Sequence, residues 1–167
     1  MTKVDVSSGR ELLKRAIKGE KDGLRFYTLL ANRAENPEAK RKLQRLAEDE
    51  KRHEITLVGI YRRLYKEEVG ELPKEGINAL AKFFDAGKAK EKQTEMQFID
   101  LAIEAELSAT NFYKSAGASI TDSELKKICE DLSEEEFRHY ELLKAEKEAL
   151  GGNYYWFGYD TEAPLED

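Results

Sequence analysis

The chain has 167 residues, the length of one domain with a buried core. Its 28 basic and 34 acidic residues leave a net charge of −6, which speaks against a nucleic-acid or anionic-membrane surface. The single cysteine, Cys129, excludes an internal disulfide and any Cys-x-x-Cys metal module, and no run approaches the ~18 apolar residues of a membrane span.

The opening stretch, MTKVDVSSGR, lacks the apolar core of a secretory leader, so a cytoplasmic protein is expected. With 37% charged residues and three prolines the composition favours helix, and no alternation of Val, Ile and Thr predicts a strand. A first helix is predicted over about 10–34, where Leu13, Ile17, Glu20, Leu24, Tyr27 and Ala31 recur in steps of four and three. Asn36-Pro37-Glu38 reads as an N-cap with proline at the first helical position and opens a second helix, about 37–67. Its stripe is Leu43, Leu46, Glu50, His53, Leu57, Ile60 and Leu64. Residues 68–90 are too many for a tight turn and read as a crossover with a short helix around Ile77–Phe84. Two further helices follow, about 90–118 and 122–150, the last opened by Asp122 and stopped by Gly151-Gly152. The tail, 151–167, gathers Tyr154, Tyr155, Trp156, Phe157 and Tyr159 and is expected to pack on the bundle or a partner subunit. Cys129 falls on the core stripe, while the basic run 39–45 belongs to a solvated face.

The two halves match. Shifted by 86 residues, Glu20 falls on Glu106, Tyr27 on Tyr113, Glu50 on Glu136 and His53 on His139, without a gap. The prediction is therefore all-α: one domain, a four-helix bundle of two antiparallel hairpins with an approximate internal two-fold axis. Glu20, Glu50, His53, Glu106, Glu136 and His139 all lie on inward stripes that carry no nearby Arg or Lys. A buried carboxylate costs several kcal/mol unless it is paired or bound to metal. Two divalent cations would balance four carboxylates, and two imidazoles would complete the ligand set. A Glu-x-x-His step puts both side chains on one helix face, so each motif can close on one ion.

These six residues, with a tyrosine seven positions after each upstream Glu ("EKDGLRFY" and "ELSATNFY"), resemble the ferritin-like superfamily, and within it the rubrerythrin group, over about residues 10–150. The resemblance implies two iron ions per chain, bridged by Glu50 and Glu136, with Glu20 and Glu106 as terminal ligands and one histidine, His53 or His139, on each. Tyr27 and Tyr113 would hydrogen-bond the terminal carboxylates beside the reacting position. Asp49 would accept the ring N–H of His139 and Glu135 that of His53, leaving Arg52 facing solvent. The implied activity is reduction of hydrogen peroxide or dioxygen at a di-ferrous centre in oxidative-stress defence. The alternative is a ferritin-like storage, ferroxidase or metal-sensing protein, and manganese or a mixed pair suits the same ligands. Two departures stand out. The tail holds no cysteine and hence no rubredoxin-like module, so a separate rubredoxin-like electron donor is expected. Ile103 and Ala109 stand one turn from Glu106, where rubrerythrins place an extra carboxylate. A homodimer is expected, with neither nucleic acid nor membrane as a partner.

Overall fold

A computed structural model describes residues 6–88, 91–158 and 162–165. Four long helices form where the three–four apolar step persists: α1 Val6–Arg33, α2 Pro37–Tyr65, α4 Glu95–Ser119 and α5 Ser123–Ala149, with a short α3, Leu80–Asp85, between α2 and α4. The joints follow local chemistry. The Asn36 side chain accepts the N–H groups of Glu38 and Ala39, and Asp122 accepts that of Leu125, so the orphan donors at both helix starts are met. Beyond α5, Gly151 (φ 130°) and Gly152 (φ 57°) take left-handed backbone that closes a tight turn to Tyr154.

Two expectations need correction. The third long helix starts at Glu95 rather than near 90, because Thr94 and Gln97 form a reciprocal capping box. A strand pair is also present: β1 (Gln93–Thr94) runs antiparallel to β2 (Glu162–Ala163), with Gln93 opposite Ala163. Two residues per strand are too few to write an alternating pattern.

Helices α1 and α2 pack along their length, as do α4 and α5. The crossover closes over α1 at two glycines, since a Cβ on Gly76 would lie 2.6 Å from the Gly19 nitrogen. Buried apolar residues fall into two clusters. One gathers Phe26, Leu30, Leu43, Phe98, Trp156 and Phe157, and the other Leu13, Ile17, Leu57, Tyr61, Ile120 and Leu132. Along each long helix the acidic and histidine positions fall between the residues of these clusters, so the polar layer crosses the middle of the bundle. Cys129 is buried in the second cluster, where burial pushes its thiol up to about 12, the behaviour of a packing residue. The tail returns to the bundle: Trp156 donates its backbone N–H to Glu95 and its indole N–H to Glu146 (2.9 and 3.1 Å). Tyr159 lies outside the described residues. No described helix is long and apolar enough to cross a membrane.

Candidate metal centre

Glu20 comes from α1, Glu50 and His53 from α2, Glu106 from α4, and Glu136 and His139 from α5; all six are buried, none more than 7% exposed. The i,i+3 step stacks each Glu–His pair on one face of its helix. Ligand-capable atoms gather in two groups, each within 4.8 Å: Glu20, Glu50, His53 and Glu136, and Glu50, Glu106, Glu136 and His139. Glu50 and Glu136 belong to both.

The imidazoles lie nearly parallel, with centroids 5.9 Å apart, and present Nδ1 to the acids. His53 Nδ1 stands 3.3 Å from Glu20 and 3.2 Å from Glu136, and His139 Nδ1 stands 3.0 Å from Glu136 and 3.7 Å from Glu50. The other ring nitrogens point outward: His139 Nε2 lies 3.0 Å from Asp49 and His53 Nε2 lies 2.9 Å from Glu135. Each of these pairs crosses between the hairpins, α2 to α5. On the opposite side the hydroxyls of Tyr27 and Tyr113 also cross, donating to Glu106 and Glu20 respectively. Sequence matching paired these residues by type, and the fold sets them face to face.

The electrostatics mark the shared acids. Burial pushes the Glu50 carboxyl well above its ordinary range, and repulsion from Glu136, Glu20 and Glu106 adds to it. Glu136 is pushed up to about 8 by burial and by Glu20 and Glu106. Glu20 is also raised by burial, but His53 and Tyr113 outweigh that and hold it below its ordinary value. Burial opposes charge on the histidines, yet the surrounding carboxylates carry His53 to about 11 and His139 to about 12. Burial and the neighbouring acids hold Tyr27 and Tyr113 protonated far above 10, so both remain donors. Glu50 Oε1 is buried with no hydrogen-bond partner. A carboxylate-rich set with an orphan oxygen and two inward-facing imidazoles fits a pair of divalent cations.

Three features escaped sequence reasoning. Gly23 stands where a Cβ would come within 2.5 Å of Glu50 Oε2, so the carboxylate takes the space a side chain would fill. A glycine inside a helix costs roughly 1 kcal/mol against alanine, and that cost was the available signal. A small cavity of about 10 Å³ opens beside Gly23, Glu20 and Glu106, roofed by Ile77, Asn78 and Leu80 of the crossover. Arg52 faces solvent as expected, yet it also holds both outer acids, 2.6 Å from Glu135 and 3.1 Å from Asp49. Those acids are both held near 2, Asp49 by His139 and then Arg52, and Glu135 by Arg52 and His53 against its own burial.

Comparison with known proteins agrees with this geometry. A hypothetical protein of known structure from Pyrococcus furiosus is similar to the chain, 33% identical over 84% of this chain and 89% of that one, with a TM-score of 0.71. No curated protein matches. The model of the rubrerythrin family matches residues 11–147, through all four long helices and every residue of the buried layer. The chain belongs to the rubrerythrin family.

Proposed function

We propose that the chain is a di-iron oxidoreductase that reduces hydrogen peroxide, or dioxygen, at the buried layer. The observation that carries this reading is the pair of overlapping ligand groups sharing Glu50 and Glu136, which fits two ions side by side rather than one. By this reading Glu50 and Glu136 would serve both ions, Glu20 and His53 would help hold one, and Glu106 and His139 would help hold the other.

Two ferrous ions would supply one electron each to the O–O bond. The remaining work falls to the chain's own groups. The carboxylates offset the cation charge, so the loaded site is close to neutral inside an apolar bundle. Asp49 and Glu135 fix the histidine tautomers by accepting Nε2–H, which leaves Nδ1 free to ligate. Tyr27 and Tyr113 donate to Glu106 and Glu20 and hold those carboxylates in place, with Tyr27 also lining the cavity. That cavity, about 10 Å³, matches the lower limit for one water-sized molecule. A space of that size excludes bulky organic substrates. The histidines close the opposite side, so the oxidant position lies between Glu20 and Glu106.

The test is anaerobic loading with two ferrous ions per chain, followed by hydrogen peroxide. The expected result is stoichiometric peroxide loss with new near-ultraviolet absorbance. If peroxide persists and the spectrum does not change, the oxidoreductase reading fails. Light scattering bears on the storage alternative, which requires a large hollow particle rather than a small oligomer.

A further inference from the structure

We propose that Arg52 is a positioning residue that clasps the two histidines of the centre together through their acid partners; this rests on the metal reading above. Arg52 Nη2 lies 2.6 Å from Glu135 Oε2 and 3.1 Å from Asp49 Oδ1, with Nη1 3.4 Å from Glu135 Oε1. Asp49 turns its other oxygen to His139 Nε2 (3.0 Å), and Glu135 Oε2 also meets His53 Nε2 (2.9 Å). The result is one unbroken chain, His139–Asp49–Arg52–Glu135–His53, that crosses the α2/α5 seam three times. Both imidazoles are thus oriented by carboxylates that share a single guanidinium.

Three considerations separate this from an ordinary surface ion pair. First, the pairs end on buried imidazoles: the His53 side chain is fully buried and that of His139 is 9% exposed. A carboxylate that leans away from its histidine releases the ring's orientation as well as a hydrogen bond. Second, two ionised acids meet at this seam, and without a shared cation their repulsion would spread them from the ring nitrogens. The planar fork of arginine can serve both acids at once, which the single ammonium of lysine does less well. Third, the repeat supplies a control. Arg138 stands 86 residues after Arg52, in the same place before its histidine, yet it forms no ion pair among the described residues. Position in the repeat therefore does not account for the clasp; the contacts of Arg52 do.

Exposed ion pairs contribute little to folding, so the consequence lies at the centre rather than in global stability. The test compares wild type, Arg52→Gln, Arg52→Lys and Arg138→Gln in the full chain. Anaerobic cobalt(II) titration, followed by its visible absorbance, reads affinity at the two sites. Arg52→Gln should weaken cobalt uptake by roughly tenfold, the low end for losing an outer-sphere partner. Arg52→Lys should recover part of the loss and Arg138→Gln should match wild type. The urea midpoint of metal-free Arg52→Gln should stay within error of wild type, which a merely structural role would not leave unmoved. Nitrogen-15 spectra of the metal-free chain give a second readout, in which the Nε2–H protons of both histidines should exchange faster in Arg52→Gln. Equal cobalt affinity in Arg52→Gln and wild type, or an equal loss in Arg138→Gln, overturns the clasp. If wild type itself takes up no cobalt, the metal reading fails separately. The exchange rates then decide, and unchanged rates at both histidines overturn the clasp.

Discussion

Two groups of buried acids occupy this molecule, and they are treated in opposite ways. Glu146 is 5% exposed and Glu50 is 4% exposed, so burial does not distinguish them. Glu146 has every need met: Lys42 pairs with one oxygen at 2.6 Å, while the Trp156 indole and the Tyr154 hydroxyl donate to the other. Burial alone would raise its pKa, but these partners outweigh burial and hold it below its ordinary value. Glu50 keeps one oxygen with no partner, and burial and neighbouring carboxylates drive its pKa well up. The satisfied carboxylate of Glu146 fastens the tail, whereas the orphan oxygen of Glu50 sits among ligand-capable side chains. Asp22 also keeps an unpartnered buried oxygen but stands outside those groups, so it is the orphan oxygen and the clustering together that set Glu50 apart.

That contrast can be broken by exchanging the outcomes. On the proposed reading Glu50→Gln removes a ligand common to both ions and should cost more than ~100-fold in cobalt affinity, beyond the range seen for outer partners. The same change removes a strained carboxyl, so the metal-free chain should unfold at equal or higher urea. A variant that binds two cobalt ions normally, or that is clearly less stable without metal, would contradict the assignment of Glu50. Glu146→Ala should do the reverse. It leaves the buried Trp156 indole N–H and the Tyr154 hydroxyl without their acceptor, while Lys42 keeps Glu38 at 3.0 Å, so the cost is about 2 kcal/mol, that of an unsatisfied buried donor. Urea melts should show that loss and Trp156 emission should shift to the red, with cobalt stoichiometry unchanged. Loss of metal binding in Glu146→Ala would dissolve the distinction between the two groups.

The sequence made the centre unusually legible because it was written twice. One Glu-x-x-His on a charged helix says little, but Glu20, Tyr27, Glu50 and His53 recurring at a constant offset identified the inward layer and its four helices. The N-caps at Asn36 and Asp122 were legible for a different reason, since capping is local chemistry. What stayed hidden is what the repeat does not copy. Gly23 answers to Ala109 and Glu146 to Ile60 in the shifted register, so neither could be found by matching halves. Arg52 and Arg138 do match, yet only one makes the bridge, because the contact depends on how α2 and α5 meet. The start of α4 was misplaced for want of reading Thr94-x-x-Gln97 as a capping box, and β1 and β2 were too short to carry a pattern.

Gly23 offers a finer cut between stability and site. Its added Cβ would press on the Glu50 carboxylate, the movable end of a flexible side chain, and not on backbone. In Gly23→Ala, therefore, Glu50 should yield rather than the helix. The helix gains up to about 1 kcal/mol in propensity, so the metal-free chain should unfold at slightly higher urea. Displacing Glu50, a ligand on the proposed reading, should still lower cobalt affinity by roughly tenfold, comparable to the loss of an outer partner. Weakened folding together with unchanged cobalt affinity would place Gly23 in the structural group instead.

The smallest effect is a difference in sign. Without metal, Glu136 keeps its proton up to about 8 against an ordinary 4.5, and His53 and His139 keep theirs to about 11 and 12 against 6.5. Between pH 6.5 and 8 the unfolded chain has released protons that the folded chain still holds. Stability of the metal-free chain therefore falls as pH rises, since its slope follows the protons bound in the unfolded state minus those in the folded state. One proton held back amounts to about 1.4 kcal/mol per pH unit, so the measurement reads the sign of the slope. Asp49 and Glu135, depressed to about 2, contribute a constant amount across this window, because their stabilisation is lost only as pH falls toward that value. Bound cations would take the place of the same protons, so the loaded chain should show no such fall. Urea melts at the two pH values, with and without cobalt, read both slopes, and a metal-free chain that gains stability toward pH 8 would mean these carboxyls are not the electrostatic burden that the comparison with Glu146 makes them.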